Sequence, residues 1–190
     1  MSKNVLIIDA GIEGAFAKGE LNHHYVAMAK EILVSKGYNV TITDLNQPYE
    51  VKDQQEKFLA AEFILVQFPG YWMAGPWQLK RYFDEVFSGP ITVGGDGRHR
   101  GTDAKYGTGG VHTQKRYMLS STWNAPLSAF DAQDEFWGGI GIDGALKPYH
   151  KTFEFLGLKQ LPTFVANDVI KNPSHDEDFA RFKELINANF

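Results

Sequence analysis

Tyr71, Trp72 and Met73 form a run of large apolar side chains in a short interval between an apparent strand and an apparent helix, and the chemistry they offer is stacking. The strand reads from Phe63 to Phe68, an apolar run with the length and aromatic and β-branched content of a buried strand. It stops at Pro69-Gly70, where proline ends ladder donation and glycine permits an unusual turn. Gly75-Pro76 then supplies a permissive N-cap and a pre-set first helical position, and Leu79, Tyr82, Phe83 and Val86 recur at helical spacing. Side chains on a turn at the carboxyl end of a central strand cannot pack into the sheet, so they face something flat brought in from outside.

A flavin ring has that shape, and two other segments offer polar groups to hold one. After a fourth apparent strand, Arg116 to Ser121, come Thr122, Trp123, Asn124, Ala125 and Pro126. Hydroxyls and an amide at a strand end can bond the polar edge of a heterocycle while Trp123 shields it, although an ordinary turn with a packed tryptophan uses the same residue types. The loop Ala10 to Asn22 carries Gly11, Gly14 and Gly19, a spacing that matches neither the dinucleotide fingerprint nor a P-loop. It still enters a helix near Glu20, where free N–H groups and the positive dipole end suit a pyrophosphate, with Lys18, His23 and His24 adding charge. The plainer reading is a glycine-rich turn with a solvated lysine.

Other chemistries lack support. His99, His112, His150 and His175 have no ligand-type spacing, so no metal site is expected. No G-x-S-x-G elbow accompanies Ser120, Ser121, Asp131, Asp134 or Glu135. Cysteine is absent, which removes disulfides and thiol nucleophiles and is compatible with a reducing compartment. Arg98, His99, Arg100 and Lys105 form a basic run that either meets the 2′-phosphate of NADPH or is solvated.

The elements that must position these residues alternate. Val5 to Ile8 reads as a first strand, and a helix with apolar face Leu21, Tyr25, Met28, Ala29, Ile32 and Leu33 ends at Gly37. Val40, Ile42 and Leu45 mark a second strand, Gln54 to Ala61 a helix, Phe164 to Ala166 a fifth strand, and Phe179, Phe182, Leu185 and Ile186 a last helix. Strands alternating with helices predict an α/β fold, a mainly parallel sheet covered on both faces, with ligands at the carboxyl ends of the strands. A glycine-rich stretch from Phe87 to Arg116 lacks apolar periodicity and is expected to line the site. Phe136, Trp137 and Ile140 lie in an apolar, glycine-rich segment without helix or strand period, which suits an interface or a pocket wall.

The 190 residues read as one domain, enough to bury roughly 70 per cent of the unfolded surface. The apolar run near the amino terminus is far short of the roughly 20 residues of a membrane span, so neither a signal segment nor membrane insertion is expected and a cytoplasmic location is. A formal net charge of -4 without a basic stripe argues against nucleic acid as a partner.

The run FILVQFPGYWMAGPWQLKRYFDEVF (Phe63 to Phe87), with KYGTGG (Lys105 to Gly110), STWNAPLSAF (Ser121 to Phe130) and LPTFVANDVIK (Leu161 to Lys171), resembles the flavodoxin-like NAD(P)H:quinone oxidoreductases of the bacterial modulator of drug activity B type. The resemblance covers nearly the whole chain. It implies a five-stranded, doubly wound sheet, bound FAD, a homodimer with active sites at the subunit interface, and two-electron reduction of quinones by NADPH. It puts the FAD phosphates on Ala17, Lys18, Gly19, Leu21 and Asn22, the isoalloxazine against Pro69, Gly70, Tyr71 and Trp72, and Tyr106 with Thr122 to Pro126 at the rest of the flavin pocket. It implies that flavin N5 carries the hydride, with Tyr106 the only side chain offered as a catalytic candidate. Two departures stand out: Phe130 and the Asp134-Glu135 region offer no Tyr-His pair like that of the animal members, and Ala17-Lys18 replaces the usual Ser or Thr hydroxyls of the phosphate loop. An FMN-dependent azo- or nitro-reductase, or a flavodoxin-like electron carrier, is the competing reading; a carrier needs a strongly acidic docking face, which -4 spread along the chain does not supply.

Overall fold

In the computed structural model, which describes residues 3–14 and 17–190, one parallel sheet runs in the order β2-β1-β3-β4-β5. Its strands are β1 (Asn4–Asp9), β2 (Asn39–Asp44), β3 (Phe63–Pro69), β4 (Arg116–Thr122) and a fifth position shared by β5 (Lys159–Gln160) and β6 (Phe164–Ala166), both pairing with β4. Helices α1 (Glu20–Ser35), α2 (Val51–Ala60), α3 (Trp77–Val86), α4 (Ser128–Asp131), α5 (Gly141–Ala145), α6 (Lys147–Phe155) and α7 (His175–Asn189) fill the intervals.

The sheet is covered on both faces, which is why β3 reads as an apolar run interrupted only by Gln67: all seven of its residues are buried. Alternate residues serve opposite faces. Ile64, Val66 and Phe68 join a cluster containing Phe58 of α2, Leu79 and Phe83 of α3 and Phe153 of α6. Phe63 and Leu65 join Tyr25 and Leu33 of α1 and Phe182 of α7. From β1 the chain goes to β2 on one side and then returns to β3 on the other, so the strand order reverses between β1 and β3 and leaves a crevice at their carboxyl ends.

Local details depart from expectation. The fifth strand is broken into two short pieces around Leu161, Pro162 and Thr163, because proline cannot donate to a ladder. The second helix starts at Val51 rather than Gln54, with Glu50 at its N-cap. Pro76 itself is the N-cap of α3, in an extended conformation, and the N–H of Gly75 donates to the Tyr149 hydroxyl at 2.7 Å. The segment around Phe136 to Ile142, expected to be irregular, enters the short helix α5, with Gly138 and Gly139 before it and Gly141 at its first position at positive φ.

Candidate active site at the strand-order reversal

The crevice encloses about 540 Å³ and is walled by the first βα loop, the turn after β3, the turn after β4 and the approach to α7. Such a volume lies in the usual range of small-molecule sites. Ala17, Lys18, Gly19, Leu21 and Asn22 line one side, and Pro69, Gly70, Tyr71, Thr122 and Asn124 line the other. Ala15 and Phe16 of the same loop lie outside the described residues.

The loop side is built to present backbone donors. Gly19 is the N-cap of α1 at φ 73°, and a Cβ there would collide with the Gly11 carbonyl, so only glycine closes the loop this tightly. No side chain among the described residues caps the helix. The first-turn N–H groups of Glu20, Leu21 and Asn22 therefore have no intrahelical acceptor and point toward the crevice end, where the dipole favours an anion. The loop is tied down by Asp9, which accepts from the Gly11 N–H at 2.9 Å and contacts His23 Nδ1 at 2.7 Å, and by Asn46, whose amide donates to the Gly11 carbonyl at 3.1 Å.

A buried polar chain forms the floor. Ser120 Oγ donates to Gln67 Oε1 at 2.5 Å, Gln67 Nε2 donates to Asn22 Oδ1 at 2.8 Å, and Asn22 Nδ2 reaches Thr122 Oγ1 at 3.2 Å. These four side chains come from α1, β3 and β4, and each is nearly sealed from solvent. A satisfied network of this kind locks the three elements in one register, and it holds the Asn22 carboxamide at the crevice wall.

On the far side, Tyr71 and Ala74 close a two-residue hairpin through Tyr71 N–H to the Ala74 carbonyl (2.6 Å) and the reciprocal bond (3.1 Å). The two central residues are Trp72 and Met73, at φ 47° and 67°. That is the sign pattern of a type I′ turn, which ordinarily demands Asn-Gly; here it is forced on a tryptophan and a methionine and stores strain. The result is a Trp72 that is 94% exposed, adjacent in sequence to Tyr71 but not itself part of the crevice lining. After β4, the Asn124 amide oxygen accepts the Ile170 and Lys171 N–H groups at 3.3 and 3.1 Å, and the Ala125 carbonyl accepts that of Asp168 at 3.0 Å. The N–H groups of Asn124 and Ala125 make no hydrogen bond among the described residues.

Several expected site residues lie elsewhere. Trp123 does not shield the crevice: its indole is buried under Gly70, donates to Ser121 Oγ at 3.0 Å and packs in the core, because a strand-end residue pointing into the sheet layer has no route to solvent. Pro126 is exposed just beyond the lining. Tyr106 lines a separate cavity between α3 and α6. Trp137 stacks on Phe130 at 5.8 Å and 15°, whereas Phe136 and Ile140 are exposed. Tyr149 and His150 are a Tyr-His pair, yet both are buried: Tyr149 holds Gly75, and His150 bridges the Tyr117 hydroxyl (2.9 Å) and Asp143 (3.1 Å). Burial raises the Tyr149 phenol and, more strongly, that of Tyr117, while the hydrogen bond from His150 holds the Asp143 carboxyl below its usual range. Val169, Ile170 and His175, at the far end of the crevice, were legible only as part of a strand-to-helix connection.

Residues 3–189 match the family of flavodoxin-like fold. Over 98% of its length the sequence is 41% identical to the NADPH:quinone oxidoreductase MdaB of Haemophilus influenzae, covering 99% of that protein. The chain belongs to the flavodoxin-like NAD(P)H:quinone oxidoreductase family. Another family relative, an uncharacterized protein of Schizosaccharomyces pombe, is also 41% identical, over 98% of this chain and 96% of that one. An FMN-dependent NADH-azoreductase of Bacillus anthracis, solved with FMN, shares the fold at a TM-score of 0.67 and 13% identity, covering 99% of each chain. Family membership fits a crevice assembled from a helix N-terminus and two strand-end turns. Among the described residues no group of three or more His, Asp or Glu is arranged to hold a metal, and no helix is long and apolar enough to cross a membrane.

Proposed function

We propose that the protein is a flavin-dependent NADPH:quinone oxidoreductase that binds FAD in this crevice and delivers two electrons together to a quinone. The observation that carries the reading is the convergence, where the strand order reverses, of the uncapped first turn of α1, Asn124 after β4, and Tyr71 at the start of a strained turn. A bound flavin supplies hydride transfer chemistry. The protein's own residues bind and orient. The N–H groups of Glu20, Leu21 and Asn22, with Lys18, take phosphate charge in place of the missing hydroxyls. The N–H groups of Asn124 and Ala125 stabilise charge at the ring's polar edge, and Tyr71 and Trp72 stack flat reactants and exclude water.

FAD, rather than FMN, is supported by the continuation of the crevice past the phosphate loop to Val169, Ile170 and His175, whose Nδ1 is buried with no hydrogen-bond partner among the described residues. The FMN complex of the azoreductase illustrates that the fold also accommodates the shorter flavin, so an FMN-dependent azo- or nitro-reductase is the second reading. We also propose a cytoplasmic homodimer. Tyr106 lines a different cavity from its own chain's crevice, and it serves a flavin if a second copy brings it there, with Phe136 and Ile140 at the contact.

Purified protein is expected to be yellow and to release FAD at about one per chain, and NADPH oxidation with a small quinone is expected to give parallel double-reciprocal lines, since both flat substrates use one stacking surface. A colourless protein that does not take up FAD or FMN overturns the reading; released FMN selects the second one. Intersecting lines overturn the shared slot.

A further inference from the structure

We propose that His23 is a positioning residue for anion binding at the N-terminal end of α1: it pairs the buried Asp9 carboxylate and so keeps an uncompensated negative charge from standing beneath the loop. The proposal deepens the flavin reading above and rests on it.

The pair sits behind the loop rather than in the crevice. Gly14, Lys18 and Glu20 line the crevice and also a smaller depression on the outer side of the loop, and His23 lines only the second. Its imidazole therefore does not add charge directly to a phosphate in the crevice, as its place in the sequence suggests. The ring lies against Gly19, where a Cβ would come within 3.0 Å of Nε2, and the His23 backbone N–H donates to the Gly19 carbonyl at 3.0 Å.

Asp9 is what the ring answers. It ends β1 with a side chain only 6% exposed, and both of its oxygens are engaged, Oδ1 by the Gly11 N–H at 2.9 Å and Oδ2 by His23 Nδ1 at 2.7 Å. Gly11 links the acid to the helix end, because its carbonyl is the group against which Gly19 closes. Asp44 stands beside Asp9 in the β1–β2 register, so two acids meet under the loop. Asp44 is satisfied separately, accepting from the Asn46 backbone N–H and side-chain amide at 2.9 Å each. The other charged side chains of the outer depression, Glu13, Lys18 and Glu20, form no ion pair with Asp9 or His23 among the described residues.

Removing the imidazole leaves a buried carboxylate with one hydrogen bond beneath N–H groups that must receive a phosphate. Such a charge costs desolvation and opposes an incoming anion. Asp9→Asn keeps an acceptor for Gly11 and removes the charge, which separates charge from shape.

The test follows release of bound flavin, FAD or FMN, from the loaded protein by the recovery of flavin fluorescence on dilution. Wild type is compared with His23→Leu, His23→Asn and the double variant Asp9→Asn/His23→Leu, with thermal unfolding of each as the check on folding. His23→Leu should weaken flavin binding by about tenfold, the loss of one charged hydrogen bond. His23→Asn, which returns an N–H donor close to the Nδ1 position, should recover most of that loss. The double variant should recover it as well, since no charge remains to be paired; an imidazole that only fills space would not be replaced by neutralising the acid. Should His23→Leu fail to fold, release from His23→Asn and from the double variant decides the matter, and loss of flavin from both overturns the proposal. Equal dissociation constants in wild type and His23→Leu, or a double variant no tighter than His23→Leu, also overturn it. A wild type that retains neither flavin overturns the flavin reading and this proposal with it, a failure seen before any variant is compared.

Discussion

Gly70 rests directly on the indole of Trp123: a Cβ at position 70 would come within 2.5 Å of Trp123 Cε2. The wall of the crevice and the packed core are therefore in contact through a residue with no side chain. Gly70→Ala should force the buried indole aside, costing roughly 1–3 kcal/mol of stability as overpacking. Because the displacement occurs at the crevice wall, flavin retention should fall in the same variant. Denaturant unfolding and the flavin content of the purified protein check both, and a variant with unchanged stability would mean the indole has room to move.

The Trp72-Met73 turn separates function from stability. Trp72 is almost wholly exposed, so Trp72→Ala should leave unfolding within about 0.5 kcal/mol of wild type. It should nevertheless weaken flavin or quinone binding, with stacking worth about 0.5–1.5 kcal/mol beyond area burial. Met73→Gly should do the converse, raising stability by roughly 0.5–1 kcal/mol by relieving a left-handed residue. Thermal unfolding and quinone-reduction kinetics of the two variants give the comparison; a destabilised Met73→Gly protein would show that no strain is stored there.

Trp137 stacks on Phe130, so charging it would disturb the fold as well as any interface. Phe136 is 72% exposed and Ile140 52%, which makes Phe136→Glu and Ile140→Glu the cleaner probes. Each is expected to weaken self-association and quinone reduction together while leaving the unfolding transition near wild type. Sedimentation alongside turnover measures this. A fully active monomer rules out the shared-site dimer.

Asp143 makes stability depend on acid. Its carboxyl is held below the usual range chiefly by the hydrogen bond from His150, with Gln160 contributing at 3.3 Å. A carboxylate with a lowered folded pKa stabilises the protein fully above its unfolded pKa of about 4, and the contribution disappears as pH falls through the folded value. The stability gap between wild type and Asp143→Asn should therefore be constant near neutrality and shrink on acidification below about pH 4. Urea unfolding of both proteins across that range tests the sign, and a gap independent of pH would remove the carboxylate from the balance.

Sequence by itself determined the architecture and the helix-end side of the crevice. Period-2 and period-3.6 patterns are local, and β3 announces its burial on both faces because parallel strands covered by helices are apolar throughout. The helix-end donors at Gly19 to Asn22 follow from a glycine and the start of an amphipathic run, both readable in a window of a few residues. Tertiary structure alone decided which aromatics face outward. Trp72 and Trp123 stand at equivalent strand ends and look alike in sequence, yet a hairpin at positive φ throws one into solvent while Gly70 opens a slot that buries the other. Tyr106 belongs to a second cavity because α6, distant in sequence, supplies the opposite wall. His150, with no motif around it, is explained only by Tyr117 and Asp143 arriving from other elements. Local propensity encodes whether a segment is helix or strand; which surface a side chain meets depends on partners far along the chain, and those contacts exist only after the sheet has closed.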